Sequence, residues 1–275
     1  PEERAKELSG TGLPMPYRVA YSKSTNLTGE VEKEIHNKLD QFRHRSNREF
    51  FKADLETIKK LNSNTLVKGF TTNPSLMRLA GAKNYKNYSL KLLKICNRKP
   101  ISLEVFGDNF DQMFNQANII NSWGNNVYVK IPVVNSKGIF SGKVISALSK
   151  NGVKLNITAV YTINQVKKII KRINKDSKII ISIFSGRMGD VGKDPIPIIK
   201  ESVRLTKRLR NVKILWASTR EPYNYLQAKN CGCSIITMPA AIIEKISKFG
   251  KTYQELTLDT VKKFLKDSRD SNFKI

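Results

Sequence analysis

From about residue 49 onward, short apolar runs rich in β-branched residues alternate with amphipathic stretches. The runs fall at residues 65–70, 101–106, 127–131, 153–157, 179–184, 212–217 and 234–238, with successive starts roughly 22 to 36 residues apart. Between them, residues 110–123, 141–150, 163–173 and 196–209 place apolar side chains three and four apart, which predicts helices. Strands this apolar, bounded by helices, predict a parallel sheet buried on both faces. With residues 49–53 as a weak first strand, the pattern gives eight strand–helix units. Eight is the number that closes a (β/α)8 TIM barrel of about 250 residues. Residues 258–265 then form an extra C-terminal helix. A doubly wound open sheet is the competing fold, but it should carry a Gly-rich phosphate loop after its first strand, and the sequence has none.

The first 48 residues read differently. Gly10-Thr11-Gly12-Leu13-Pro14-Met15-Pro16 is turn chemistry, residues 22–29 are loop-like, and only residues 30–42 carry a helical pattern. The expected division is therefore an N-terminal surface extension, 1–48, and a barrel, 49–275. The chain starts at Pro1 instead of methionine, so its natural beginning is expected to lie elsewhere. Its acidic, turn-rich first dozen residues do not form a secretory signal.

Composition narrows the chemistry. Of 275 residues, only two are histidine, His36 and His44. Everything after residue 45 must therefore work without an imidazole of its own, which excludes a Ser-His-Asp triad, a Cys-His pair and a His-ligated zinc there. Cys96, Cys231 and Cys233 form no disulfide framework, and the C-x-C spacing suits neither a zinc ribbon nor a thioredoxin motif. Sparse cysteine favours a reducing, cytoplasmic setting. No apolar run approaches the roughly 20 residues needed to span a bilayer.

The net charge of +26 and pI near 10.0 invite a nucleic-acid reading. Residues 1–48 hold 9 Lys+Arg against 7 Asp+Glu, so nearly all the excess lies in the barrel region. There it is scattered, as with Lys167, Lys168, Lys171 and Arg172 on one predicted helix, and no basic tail, zinc finger or aromatic RNA-binding motif accompanies it. This reads as a compositional bias, and nucleic acid is disfavoured as the main partner.

A barrel of this kind carries its active site at the C-terminal ends of the strands. Those ends supply Gly69-Phe70-Thr71-Thr72-Asn73-Pro74-Ser75, then Glu104, Lys130, Asn156, Thr158, Ser182, Phe184, Arg187, Ser218 and Arg220. Lys130 interrupts the apolar Val127-Tyr128-Val129-Lys130-Ile131-Pro132, where a solvated surface lysine is not expected. A lysine desolvated among apolar neighbours can attack a carbonyl as the free amine. Glu104, the only acid between Glu56 and Asp108, could move protons directly or through a water, or simply pair with Lys130. Arg187 and Arg220 suit a phosphate, whose oxygens a guanidinium fork binds in bidentate fashion.

Taken in order, Gly69-Phe70-Thr71-Thr72-Asn73-Pro74-Ser75-Leu76, Lys130-Ile131-Pro132, Leu155-Asn156-Ile157-Thr158, Ser182-Ile183-Phe184-Ser185-Gly186-Arg187 and Ala217-Ser218-Thr219-Arg220 resemble the signature blocks of transaldolases. The resemblance covers about residues 50 to 265. It implies class I aldol chemistry with no metal or organic cofactor, acting on sugar phosphates, with a homo-oligomer compatible. By matching, Lys130 would form the imine with a ketose phosphate and carry a dihydroxyacetone unit to an acceptor aldehyde. Glu104 and Thr158 would hold the catalytic water. Asn73 and Asn156 would bind substrate hydroxyls, with Thr72 and Phe184 in the same substrate-binding set. Ser182, Arg187, Ser218 and Arg220 would cradle the phosphate.

Fructose 6-phosphate aldolases are similar but commonly carry glutamine where Glu104 stands and tyrosine where Phe184 stands, so the resemblance favours transfer over simple cleavage. One departure is serious. The family normally has an acid–base aspartate near the end of the first strand, and an ungapped alignment puts Phe51 there, with Asp54 three residues on. Phenylalanine carries no proton, so a sugar-phosphate-binding barrel with impaired turnover is the alternative.

Overall fold

The computed structural model describes residues 55–271, within the compact unit Glu49–Ile275. Its sheet has seven strands: β1 (Phe70–Thr71), β2 (Ile101–Glu104), β3 (Val127–Pro132), β4 (Leu155–Val160), β5 (Ile179–Ile183), β6 (Val212–Trp216) and β7 (Ile235–Ile236). All pair in parallel and in chain order. The eighth strand expected at residues 49–53, like Phe51, Asp54 and the 1–48 extension, lies outside the described residues. The sheet curls: the Thr71 and Thr237 hydroxyls, at the ends of β1 and β7, lie 2.7 Å apart. Parallel strands in sequential order, alternating with helices and curling end to end, define an α/β barrel fold.

The helices are α1 (Leu55–Ser63), α2 (Pro74–Leu79), α3 (Tyr85–Cys96), α4 (Phe110–Asn121), α5 (Gly142–Lys150), α6 (Ile163–Ile170), α7 (Ser185–Asp190), α8 (Ile196–Thr206), α9 (Asn224–Asn230), α10 (Ala240–Ile246) and α11 (Tyr253–Ser271). Several start on a side-chain cap. Asn73, Asn84, Asn109 and Thr162 each accept a backbone N–H three residues on, and Gln165 completes a capping box with Thr162. The terminal helix is much longer than the eight residues expected of it. None of its residues is buried, and Leu256, Val261, Phe264 and Leu265 stay exposed.

Strand alternation divides the interior in two. On β3, Val127, Val129 and Ile131 face outward into the large core under the helices, with Leu103, Leu155, Ile157, Ile181 and Trp216. Tyr128, Ile180, Leu215, Ala217, Phe184 and Ile235 form a small separate cluster on the other face, inside the curl. Two expected strands shrink. The 65–70 run becomes strand only at its end, because Leu66 is 78% exposed and Asn73-Pro74 opens a helix. The 234–238 run keeps two strand residues before Pro239 precedes α10.

Candidate active site inside the curl

Register sets the site. Glu104, Lys130, Asn156 and Ile180 are successive partners across β2, β3, β4 and β5, so their side chains leave the sheet on one face at one level. The Lys130 residue is 9% exposed. Its Nζ donates to the Thr72 carbonyl at 2.8 Å and to Glu104 Oε2 at 3.3 Å. The pair keeps only 11% and 23% of its side-chain surface in water. Removing one partner of such a pair would leave the other incompletely compensated.

A buried polar chain runs beside it. Asn156 Nδ2 donates to Ser102 Oγ at 3.0 Å, and Ser182 Oγ donates to Asn156 Oδ1 at 2.6 Å. Thr72 Oγ1 donates to the Ser102 carbonyl at 3.1 Å. Ser102 links the residue after β1 to β2 and β4, and Asn156 carries the chain on to β5, yet the sequence reading passed over Ser102. The signal was present in Ile101-Ser102-Leu103-Glu104, where two polar residues share one strand face. Thr158 is buried on β4, at the point where the β4–β5 register shifts and Ala159 takes φ +57°. Asn73 serves as the α2 cap through Oδ1, which leaves its amide NH2 as the group to offer a ligand.

The remaining candidates lie around α7 and the turn after β6. Gly186 packs against Ser218 so closely that a Cβ there would stand 1.5 Å from the Ser218 carbonyl oxygen. Ser218 itself has φ +60°, a strained conformation for a residue with a side chain. Arg220 engages Asp190 with two nitrogens, Nε to Oδ1 at 2.8 Å and Nη2 to Oδ2. Partial burial pushes its proton affinity down, a pull that the neighbouring carboxylate opposes. Arg187 is exposed, with its guanidinium 5.8 Å from the Phe184 ring centre, and Phe184 makes an edge contact with Tyr161 at 5.9 Å. The structure thus brings Thr72, Glu104, Lys130, Asn156 and Ser182 together through direct or shared contacts. It puts Gly186, Ser218, Arg220 and Asp190 in a second group.

Comparison with known proteins shows the family. Residues 52–275 match the family model described as Transaldolase/Fructose-6-phosphate aldolase, and the chain belongs to that family. It is therefore an aldolase-type enzyme. Residues 1–65 match a T5orf172 domain model. A probable transaldolase from Nitrosopumilus maritimus is 33% identical over 217 residues, covering 78% of this chain and 91% of that protein. One from Caldicellulosiruptor saccharolyticus is 32% identical over 219 residues, covering 78% and 93%. Among solved structures, a dihydrodipicolinate synthase from Rhodopseudomonas palustris is similar at TM-score 0.46 and 14% identity, covering 78% of this chain and 70% of that one. Among the described residues, no helix is long and apolar enough to cross a membrane, and no cluster of three His, Cys, Asp or Glu side chains is placed to hold a metal.

Proposed function

We propose that residues 49–275 transfer a dihydroxyacetone unit between sugar phosphates through a Schiff base on Lys130. The observation that carries this is a buried lysine amine inside the curl, touching a single carboxylate and one backbone carbonyl.

The free amine of Lys130 adds to the ketone carbon of a ketose phosphate, and water leaves to give the iminium. The hydroxyl proton on the carbon two atoms away is removed. The bond between that carbon and the one next to the iminium carbon breaks, and its electron pair moves into the iminium to form an enamine. An aldose phosphate departs. The enamine then adds to an acceptor aldehyde, whose oxygen takes up a proton, and water releases the product from Lys130. Glu104 and Thr158 hold the water used in these proton transfers. Thr72, Asn73 and Asn156 bind substrate hydroxyls, and Phe184 forms a wall. Ser182, Arg187, Ser218 and Arg220 take the phosphate. The chemistry needs no metal or organic cofactor and suits a reducing cytoplasm.

Borohydride reduction in the presence of fructose 6-phosphate, followed by peptide mass mapping, tests the reading. The expected result is an adduct on Lys130, and a wild-type chain that gives none overturns the Schiff base. Phe51, standing where the family's aspartate is expected, favours a second reading in which the pocket and imine survive but turnover is impaired. An adduct without transfer to erythrose 4-phosphate is its signature. Simple cleavage, as in a fructose 6-phosphate aldolase, would release dihydroxyacetone instead.

A further inference from the structure

We propose that Tyr85 is a positioning residue for Glu104, locking both backbone polar groups of the residue that aims the carboxylate at Lys130; this rests on the Schiff-base reading above. A parallel ladder is built from evenly spaced rungs. The last rung between β1 and β2 runs from Thr72 N–H to the Ser102 carbonyl at 3.1 Å. The next should run from Glu104 N–H back to the Thr72 carbonyl. It does not form, because the chain leaves the sheet at Asn73 to cap α2.

Leaving the sheet strands three buried or half-buried backbone groups, and each finds another partner. The Thr72 carbonyl accepts from Lys130 Nζ at 2.8 Å. The N–H and C=O of Glu104 point to the same strand edge, the one β1 has left. Tyr85 Oη takes both, accepting from Glu104 N at 2.8 Å and donating to Glu104 O at 3.0 Å. One missing rung therefore fixes the lysine and the carboxylate together.

The phenol is itself held in place. Tyr85 is the first residue of α3, directly after the Asn84 cap. Its ring meets Phe106 edge-on at 4.6 Å and Trp123 at 5.9 Å. Burial pushes its proton affinity up, so the O–H stays available as a donor. Tyr85, Glu104, Phe106 and Trp123 also line a pocket of about 280 Å³.

The test uses the full chain and quenched-flow borohydride trapping with fructose 6-phosphate. It reads the maximal rate of Lys130 adduct formation and the half-saturating concentration. Tyr85→Phe removes one oxygen and keeps the ring. It should lower the maximal rate about tenfold, as small misalignments of reacting groups do, and leave half-saturation within about twofold. Lys86→Ala, at the exposed next position of α3 and on the same pocket wall, leaves the rings that hold Tyr85 intact and should leave both parameters within about twofold. Combined with Glu104→Gln, Tyr85→Phe should add little, because it acts through the carboxylate. The proposal is overturned by an unchanged rate in Tyr85→Phe, by an equal loss in Lys86→Ala, or by full additivity with Glu104→Gln. A wild-type chain that gives no Lys130 adduct overturns the parent reading, and this outcome is recognisable before any variant is made.

Discussion

Gly186→Ala is the sharpest single-atom perturbation of the proposed phosphate cradle. The added Cβ would sit 1.5 Å from the Ser218 carbonyl oxygen and 2.6 Å from its carbon, both backbone atoms that no rotamer change can move aside. Ordinary contact begins near 3.4 Å, so α7 and the turn after β6 must separate by about 2 Å. That separation also breaks the bond from Gly186 N–H to the Ala217 carbonyl, now 3.2 Å long. Overpacking costs about 1–3 kcal/mol and the lost hydrogen bond about 1 kcal/mol. For a domain of this size the sum lowers Tm by roughly 5–15 °C. Because Ser218 and Arg220 ride on the displaced turn while Ser182 and Arg187 do not, the cradle is pulled apart. A misplacement of about 1 Å can cost about 100-fold in rate. Thermal melts with and without inorganic phosphate, together with KM for fructose 6-phosphate, measure both effects. Gly189→Ala is the control three residues on in the same helix. A Cβ there meets nothing within 4 Å, and alanine is the better helix former by about 1 kcal/mol, so its Tm should hold or rise. If Gly186→Ala melts within 2 °C of wild type, taking about 2 °C as within scatter, and keeps its phosphate protection, the close approach does not organise the cradle.

Four further outcomes are expected. Lys130→Met should abolish borohydride trapping altogether; any adduct remaining on the barrel would place the nucleophile elsewhere. Arg220→Lys forfeits the two-nitrogen engagement of Asp190 that holds the side chain in place, and with it the fork proposed to reach the phosphate. KM for a sugar phosphate should rise about tenfold, or about 1.4 kcal/mol, while that for unphosphorylated fructose stays put; an equal rise for both would remove Arg220 from phosphate binding. Ser102→Ala deprives Asn156 Nδ2 of its buried acceptor and should cost about 1–3 kcal/mol in urea unfolding, with a fall in kcat/KM; a neutral result would show that the polar chain is not needed. Burial pushes the Cys96 and Cys233 thiols up to about 11. Since folding raises these pKa values above the ordinary thiol value of 9.0, the stability they contribute is intact below pH 9 and is lost as pH rises from 9 to 11. Both should resist Ellman's reagent at pH 8 until the chain is denatured. Rapid modification of the native protein would contradict their burial.

The parts legible in the sequence share a physical trait: they sit on short apolar strands buried on both faces. In Val127-Tyr128-Val129-Lys130-Ile131, a charge among apolar neighbours singles out Lys130, and the register with Glu104 and Asn156 then completes the row. β2 through β6 were readable as apolar, β-branched runs, within two or three residues at their ends. α2, α7, α9 and α10 are six or seven residues long, under two turns, which is too short for a 3.6-residue period to show. They form where a cap or proline starts them and where tertiary contacts, such as Gly186 on Ser218, hold them. Ser102 escaped because serine scarcely interrupts an apolar run, although its inward position beside Glu104 followed from period two. Tyr85 and Asp190 escaped for a deeper reason. Each reaches the site from a helix and acts on a group 19 or 30 residues away. No local period encodes that meeting. What brings Tyr85 to Glu104 is the early departure of β1, and that departure is itself written plainly in Asn73-Pro74. A strand that ends one rung before its neighbour leaves backbone groups that must be satisfied, and the side chain that satisfies them is a natural place to look for residues that orient a catalytic group.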